Sequence, residues 1–210
     1  MSDELVFREE DHKYFLNGEE IPSVSELTRF LAREVYGEAD PIALDRAAEK
    51  GTAVHDALQT LDEKGEVEVD SEYDGYIAAY LKFRAEHDVE WREIEWMVHT
   101  DKYAGRIDRY GYVDGKPCIV DFKTTSRISK AHEVLYTAAL SLYEMAICLA
   151  KPVDMLYVLQ LKSDGNYKLI PLNVDRALAA SCIILHQALA NTKRKKKNYN
   201  SVCMKTKNKN

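Results

Sequence analysis

The chain has 210 residues, 30% of them charged and 46% hydrophobic, with a formal net charge of −6, so a full apolar core can form without disulfides or structural metal. No run of 18 apolar residues occurs and the start Met1-Ser2-Asp3-Glu4 is acidic, which argues against a membrane-spanning helix and a secretory leader and leads to the expectation of a cytoplasmic protein. Residues 191–210 hold eight of the 29 basic residues and no acid, leaving residues 1–190 with 21 basic against 35 acidic residues, a net −14; such a body repels a polyanion unless local basic patches or bound cations reverse the field.

The first predicted element is a small β-hairpin, from Leu5-Val6-Phe7 and Tyr14-Phe15-Leu16 around Asn17-Gly18. Ser23 and Glu26 form a capping-box pattern ahead of Leu27, Phe30, Leu31 and Val35, and Asp40-Pro41 caps a second helix through Ala47, Gly51, His55 and Leu58. After acidic residues around Gly65 and Asp70, the residues Tyr73, Tyr76, Ile77, Tyr80, Leu81 and Phe83 recur at helical spacing. That spacing favours core packing for the tyrosines over a role as stacking platforms for single-stranded bases.

From Val89 the period becomes two, with Trp91, Glu93 and Glu95 on one side of a strand and Arg92, Ile94 and Trp96 on the other. Strands about Tyr103–Val113 and Lys116–Thr124 follow, joined by the turn pair Asp114-Gly115. In the second of them Cys118, Val120 and Phe122 share one face and Ile119, Asp121 and Lys123 the other. An Ala- and Leu-rich helix spans about Ser129–Leu149, a hairpin follows from Met155–Leu161 and Tyr167–Leu172, and Asp175 opens a closing helix to about Ala190. These elements predict an α/β fold, a central mixed β-sheet flanked by helices, in one domain over residues 1–192. The basic tail, residues 193–210, is expected to be disordered when free and is either a solvated extension or a salt-dependent contact to phosphates. Cys118, Cys148, Cys182 and Cys203 lack paired Cys-x-x-Cys spacing and read as free thiols.

Asp108 and Asp121 stand at the ends of two short apolar runs, and Lys123 lies on the same face as Asp121, about 6.5–7 Å along the strand. Carboxylates on adjacent strands are rigid ligands for hard cations, which can activate water, relieve phosphate charge and assist a leaving oxygen. A lysine beside them can act as a point charge on a phosphate oxygen or position the attacking water. Taken alone, Asp-x-Lys is also what a half-buried surface hairpin looks like, and a single helix histidine is more often a packing residue.

Gly51-Thr52-Ala53-Val54-His55, then Glu95, then Ala104-Gly105-Arg106-Ile107-Asp108, then Ile119-Val120-Asp121-Phe122-Lys123-Thr124 resemble, in this order and over residues 51–143, the motifs of the RecB-like nucleases in the PD-(D/E)xK superfamily. Ile21-Pro22-Ser23-Val24-Ser25 resembles the start of its phage-type exonucleases. The resemblance implies a restriction-endonuclease-like core and a metal-dependent deoxyribonuclease acting in phage- or prophage-type DNA processing or recombination, exonuclease action being favoured. It implies that His55, Asp108, Asp121 and the main-chain carbonyl of Phe122 bind the metal, that Lys123 is catalytic, and that Glu95 assists. The expected cofactor is Mg²⁺ or Mn²⁺, imidazole being the better ligand for Mn²⁺.

The last family element, Gln-x-x-x-Tyr, is matched in part: Tyr143 stands in the tyrosine's place, as a substrate-binding residue, while Ala139 stands where the glutamine belongs. Tyr136 and Gln160 are candidates to compensate. The sequence has no phosphate-binding Gly-x-x-x-x-Gly-Lys loop, so any motor would come from a helicase or recombination partner. Two competing readings are a DNA-binding module without turnover and a non-catalytic subunit of a helicase or recombinase complex.

Overall fold

A computed structural model describes residues 3–207. At the N-terminal end β1 (Leu5–Arg8), β2 (Lys13–Leu16) and β3 (Glu19–Ile21) form a three-stranded antiparallel sheet. Asn17 and Gly18 take φ values of 52° and 84°, the left-handed geometry of a tight two-residue hairpin. That turn therefore joins β2 to β3, while β1 reaches β2 through the short 3₁₀ turn Glu9–Asp11. The third strand went unpredicted because Glu19-Glu20 carries no apolar signal.

Ser23 closes a complete capping box with Glu26 at the start of α1 (Val24–Leu27), and α2 (Arg29–Tyr36) follows after Thr28. The Asp40 carboxylate accepts the Ile42 N–H at 3.3 Å and Pro41 opens α3 (Pro41–Lys64), which ends at Gly65 with φ 83°. Next comes α4 (Asp74–Glu86).

The main sheet has the order β4 (Val89–His99), β5 (Ala104–Val113), β6 (Lys116–Lys123), β7 (Met155–Leu161) and β8 (Tyr167–Leu172). All neighbours are antiparallel except β6 and β7, which are parallel and connected through α5 (Lys130–Ile147). This is the expected α/β arrangement of a mixed sheet flanked by helices. Cys118, Val120 and Phe122 of β6 pack with Val54 and Leu58 of α3 and with Tyr80 and Phe83 of α4. Ile119, on the opposite face, packs with Leu135 and Leu140 of α5. Beyond α5 lies α6 (Arg176–Lys207), through Ala138, Leu142, Ala179 and Cys182. Cys118, Cys148 and Cys182 are free thiols.

Two expectations are corrected. The pairing of β4 with β5 shifts register between Trp91 and Glu93, so Arg92 is the extra residue of a β-bulge and the simple alternation fails across it. Trp91 packs on the α3–α4 side. Glu93 instead meets Lys151 at 3.1 Å, whose ammonium lies over Trp96 and Tyr110 of the α5 side. Second, the backbone of α6 runs on to Lys207, past the end expected at about Ala190; lysine and arginine are good helix formers and an established helix propagates at little cost. The side chains from Lys193 onward, and residues 208–210, lie outside the described ones. A Cβ on Gly51 would meet nothing nearer than the Thr124 hydroxyl at 3.9 Å, so no close helix–sheet approach requires glycine there. Tyr76 and Tyr80 are buried in the core, as their spacing predicts. No helix among the described residues is long and apolar enough to cross a membrane.

Candidate active site

The β5–β6 ladder runs from Val113 opposite Lys116 to Arg109 opposite Val120, and beyond it the strands are held by a side chain. The Asp108 carboxylate accepts the backbone N–H of Phe122 at 2.7 Å, which ties it to the residue between Asp121 and Lys123. From α3, His55 presents Nε2 to the Phe122 carbonyl at 3.2 Å and Nδ1 to Asp108 Oδ2 at 3.6 Å. Because the carbonyl can only accept, Nε2 is assigned the hydrogen, leaving the Nδ1 lone pair facing a carboxylate. Two acceptors so placed can share a cation between them.

Glu95 completes this cluster. Its backbone takes φ 47°, a left-handed value uncommon for glutamate, and one ligand atom each from His55, Glu95 and Asp108 lie within 4.8 Å of one another. Asp121 is beside this group and outside it, its Oδ2 lying 2.6 Å from the Lys123 ammonium. The Phe122 carbonyl likewise contacts His55, an arrangement that orients an imidazole for ligation through its other nitrogen.

The electrostatics favour a cation. Burial raises the Asp121 pKa above the usual carboxylate range against the pull of Lys123, and Asp108 raises it further. Burial and then Asp108 raise Glu95 in the same way. For Lys123 burial works downward, but Asp121 and Asp108 outweigh it and hold the ammonium above its ordinary value. One imidazole nitrogen and clustered carboxylate oxygens in a poorly hydrated place fit Mn²⁺ or Mg²⁺.

Sequence reasoning missed the support beneath these groups. Arg109 is fully buried; its Nε donates to Asp62 at 2.8 Å, and its Nη1 donates to the Asp108 carbonyl at 2.6 Å and to Glu95 at 3.3 Å. Its guanidinium lies 4.9 Å from the Phe122 ring centre. Asp62 also accepts from Arg84 at 2.8 Å and from the Tyr80 hydroxyl at 2.6 Å, and that hydroxyl accepts the Trp91 indole N–H at 2.7 Å. The signal for this network was an arginine at a core-facing strand position, since a buried guanidinium requires acidic partners.

Tyr143 lies against Gly105, where a Cβ would come 2.6 Å from its ring and 3.1 Å from Val24. Burial first, then Asp108 and Asp121, push its hydroxyl well above the usual tyrosine value. Ala139 packs in the α5–α6 layer. Tyr136 lies beneath Lys123, whose ammonium is 5.4 Å from its ring centre, and its hydroxyl meets that of Tyr36 at 3.1 Å. The buried Gln160 donates to the Thr125 carbonyl at 2.7 Å and holds the loop that follows Lys123. A cavity of about 800 Å³ borders Lys123 and a second of about 450 Å³ borders Glu95. Gly51 and His55 line both.

No family model matches the chain, and no curated protein matches it. Among solved structures, an alkaline exonuclease from Laribacter hongkongensis matches at 10% identity with a TM-score of 0.39, covering 71% of this chain and 84% of that one. A phage-related exonuclease from Haemophilus somnus 129PT matches at 12% identity and a TM-score of 0.42, covering 82% of this chain and 96% of that one. A likeness of this size fixes neither family nor activity, and the function has to be argued from the site itself.

Proposed function

We propose that the protein is a divalent-cation-dependent deoxyribonuclease with a restriction-endonuclease-like core, hydrolysing phosphodiester bonds. The observation that carries this reading is the convergence of His55, Glu95 and Asp108, from α3, β4 and β5, within 4.8 Å of one another beside the Asp121–Lys123 pair. Those three residues would hold Mg²⁺ or Mn²⁺, with Asp121 and the Phe122 carbonyl bordering the ion. When bound, such a cation supplies charge relief on the phosphate and a lower pKa for water.

The chain's own groups supply the rest. Arg109 fixes Glu95 and the Asp108 backbone, and the Phe122 carbonyl sets the face of His55. Lys123, held between Asp121 and the Tyr136 ring, keeps its proton and offers a fixed positive charge to a phosphate oxygen. Tyr143 borders the carboxylates as a substrate-contacting group. The ordered motif resemblance supports exonuclease action in phage-type DNA processing or recombination, with a helicase or recombination protein as partner.

The test is digestion of end-labelled linear DNA with Mg²⁺ or Mn²⁺, with chelator as control. Cleavage that is abolished by chelator and by Lys123→Ala in a folded protein is expected. Equal activity in parent and variant would defeat the reading. Blocking either end, or closing the substrate into a circle, separates exonuclease from endonuclease action.

A further inference from the structure

The larger cavity beside the site has a charge opposite to that of the body around it. Lys50 on α3, Lys123 at the end of β6 and Lys162 just after β7 all line it, and among the described residues Asp164 is its only acidic lining residue. Asp164 accepts the Asn166 N–H at 3.0 Å and is engaged in its own turn. The smaller cavity carries Glu9, Asp56 and Glu95 against Arg106. Residues 1–190 as a whole stand at −14, so a local excess of lysine here is not a sample of the average surface.

Lys123 meets Asp121 at 2.6 Å, whereas the other two lysines are held without a direct ion pair. Among the described residues neither Lys50 nor Lys162 enters an ion pair. The Lys50 ammonium lies 5.4 Å from the ring centre of buried Tyr76, a contact that positions a cation and leaves its charge available. Lys162 belongs to a turn seated on α4: a Cβ on Gly75 would overlap the Ser163 carbonyl, and Lys82 donates to the Asn166 side chain at 3.1 Å. Thr124, Thr125 and Ser126 add hydroxyl groups along the same wall, which Gln160 fixes.

We infer that this cavity seats the sugar–phosphate backbone of one nucleic-acid strand flanking the scissile bond, Lys50 and Lys162 each contacting a phosphate, and that the Glu95 side contributes no such contact. The inference rests on the nuclease reading above and assigns the side on which the strand is held. A volume of about 800 Å³ is within the range of ligand pockets, roughly 300–1,000 Å³, and suits a few nucleotides of one strand.

The experiment measures binding of a fluorescent single-stranded oligonucleotide to the full chain carrying Asp121→Asn, so that binding is read without cutting, over a series of salt concentrations. Adding Lys50→Gln or Lys162→Gln is expected to weaken binding several-fold at low salt and to reduce the slope of log affinity against log salt by about 0.7 each. Lys50→Arg and Lys162→Arg should retain the slope, while Glu9→Gln and Asp56→Asn should leave it unchanged. Thermal unfolding confirms that each variant is folded. Unaltered slopes in folded glutamine variants overturn the inference, as do equal effects from the Glu9 and Asp56 variants. Cleavage by the unsubstituted chain with Mn²⁺ reads the parent proposal separately. Cleavage with lysine-independent binding removes the strand assignment alone, and lysine-dependent binding without any cleavage removes the nuclease alone.

Discussion

The Asp108 carboxylate and the Phe122 amide, 2.7 Å apart, latch the two halves of the candidate site together. A hydrogen bond to a charged group contributes about 1.5–3 kcal/mol. Asp108→Ala is therefore expected to lose roughly that amount in urea denaturation, and Asp108→Asn, which keeps an acceptor for the amide, much less. Both should lose the stabilisation by Mn²⁺ expected for the parent, about 2.7 kcal/mol at a hundred times the dissociation constant. An Asp108→Asn protein stabilised by Mn²⁺ as strongly as the parent would remove Asp108 from the metal site.

Glu95 gives a pH-dependent prediction. Burial and Asp108 raise its folded pKa above the ordinary value, so proton binding favours the folded state. That stability is fully present below the unfolded pKa, about 4.3, and is lost as pH rises through the folded value. Without divalent ions, Glu95→Gln should be more stable than the parent near neutral pH, the difference closing at acid pH. With Mn²⁺ the order should reverse. A variant less stable than the metal-free parent at neutral pH would contradict this.

Gly51 sits within α3 with open space around it. Gly51→Ala is expected to stabilise the protein by about 0.5–1 kcal/mol, the helical cost of glycine relative to alanine, and to leave cleavage intact. Gly51→Leu should be folded but slow, since a long side chain there intrudes where the two cavities meet. Chemical denaturation and cleavage rates on the same samples check both.

Arg109→Met should cost about 3–5 kcal/mol, because it leaves the carboxylates of Asp62 and Glu95 without their buried partner. Tyr80→Phe removes the acceptor of the Trp91 indole and one donor to Asp62, an expected cost of about 1–3 kcal/mol. A near-neutral Arg109→Met in urea denaturation would show that the network does not support the fold.

Burial pushes the Cys118 thiol up to about 12. It should therefore resist alkylation in the native state near neutral pH and react after denaturation, as peptide mass mapping would show. Native-state labelling of Cys118 at the rate of a free thiol would contradict the packing of β6.

Much of the fold was legible because its signals are local. Capping at Ser23 and Asp40, the turn at Asp114-Gly115 and the alternation in β6 each reflect backbone chemistry within a few residues. The bulge at Arg92 was not legible: alternation counts residues, and an inserted one shifts every later side chain without any change in composition. That shift separates Trp91 from Glu93, which the regular period had placed together, and the left-handed backbone of Glu95 breaks the alternation again. The ordered motifs singled out His55, Asp108, Asp121 and Lys123, but they were silent on Arg109 and Asp62. Their meaning lies in a pairing 47 positions apart, which no local pattern records.

The parallel pairing of β6 with β7 has a kinetic consequence. His55 meets a carbonyl 67 positions further along the chain, and β6 gains its second neighbour only after α5 has been traversed. Such non-local closures are slow to form, so the candidate site is expected to mature late, once the sheet is assembled. A bound cation would then act as a clasp on the finished molecule, slowing its opening far more than it hastens its formation.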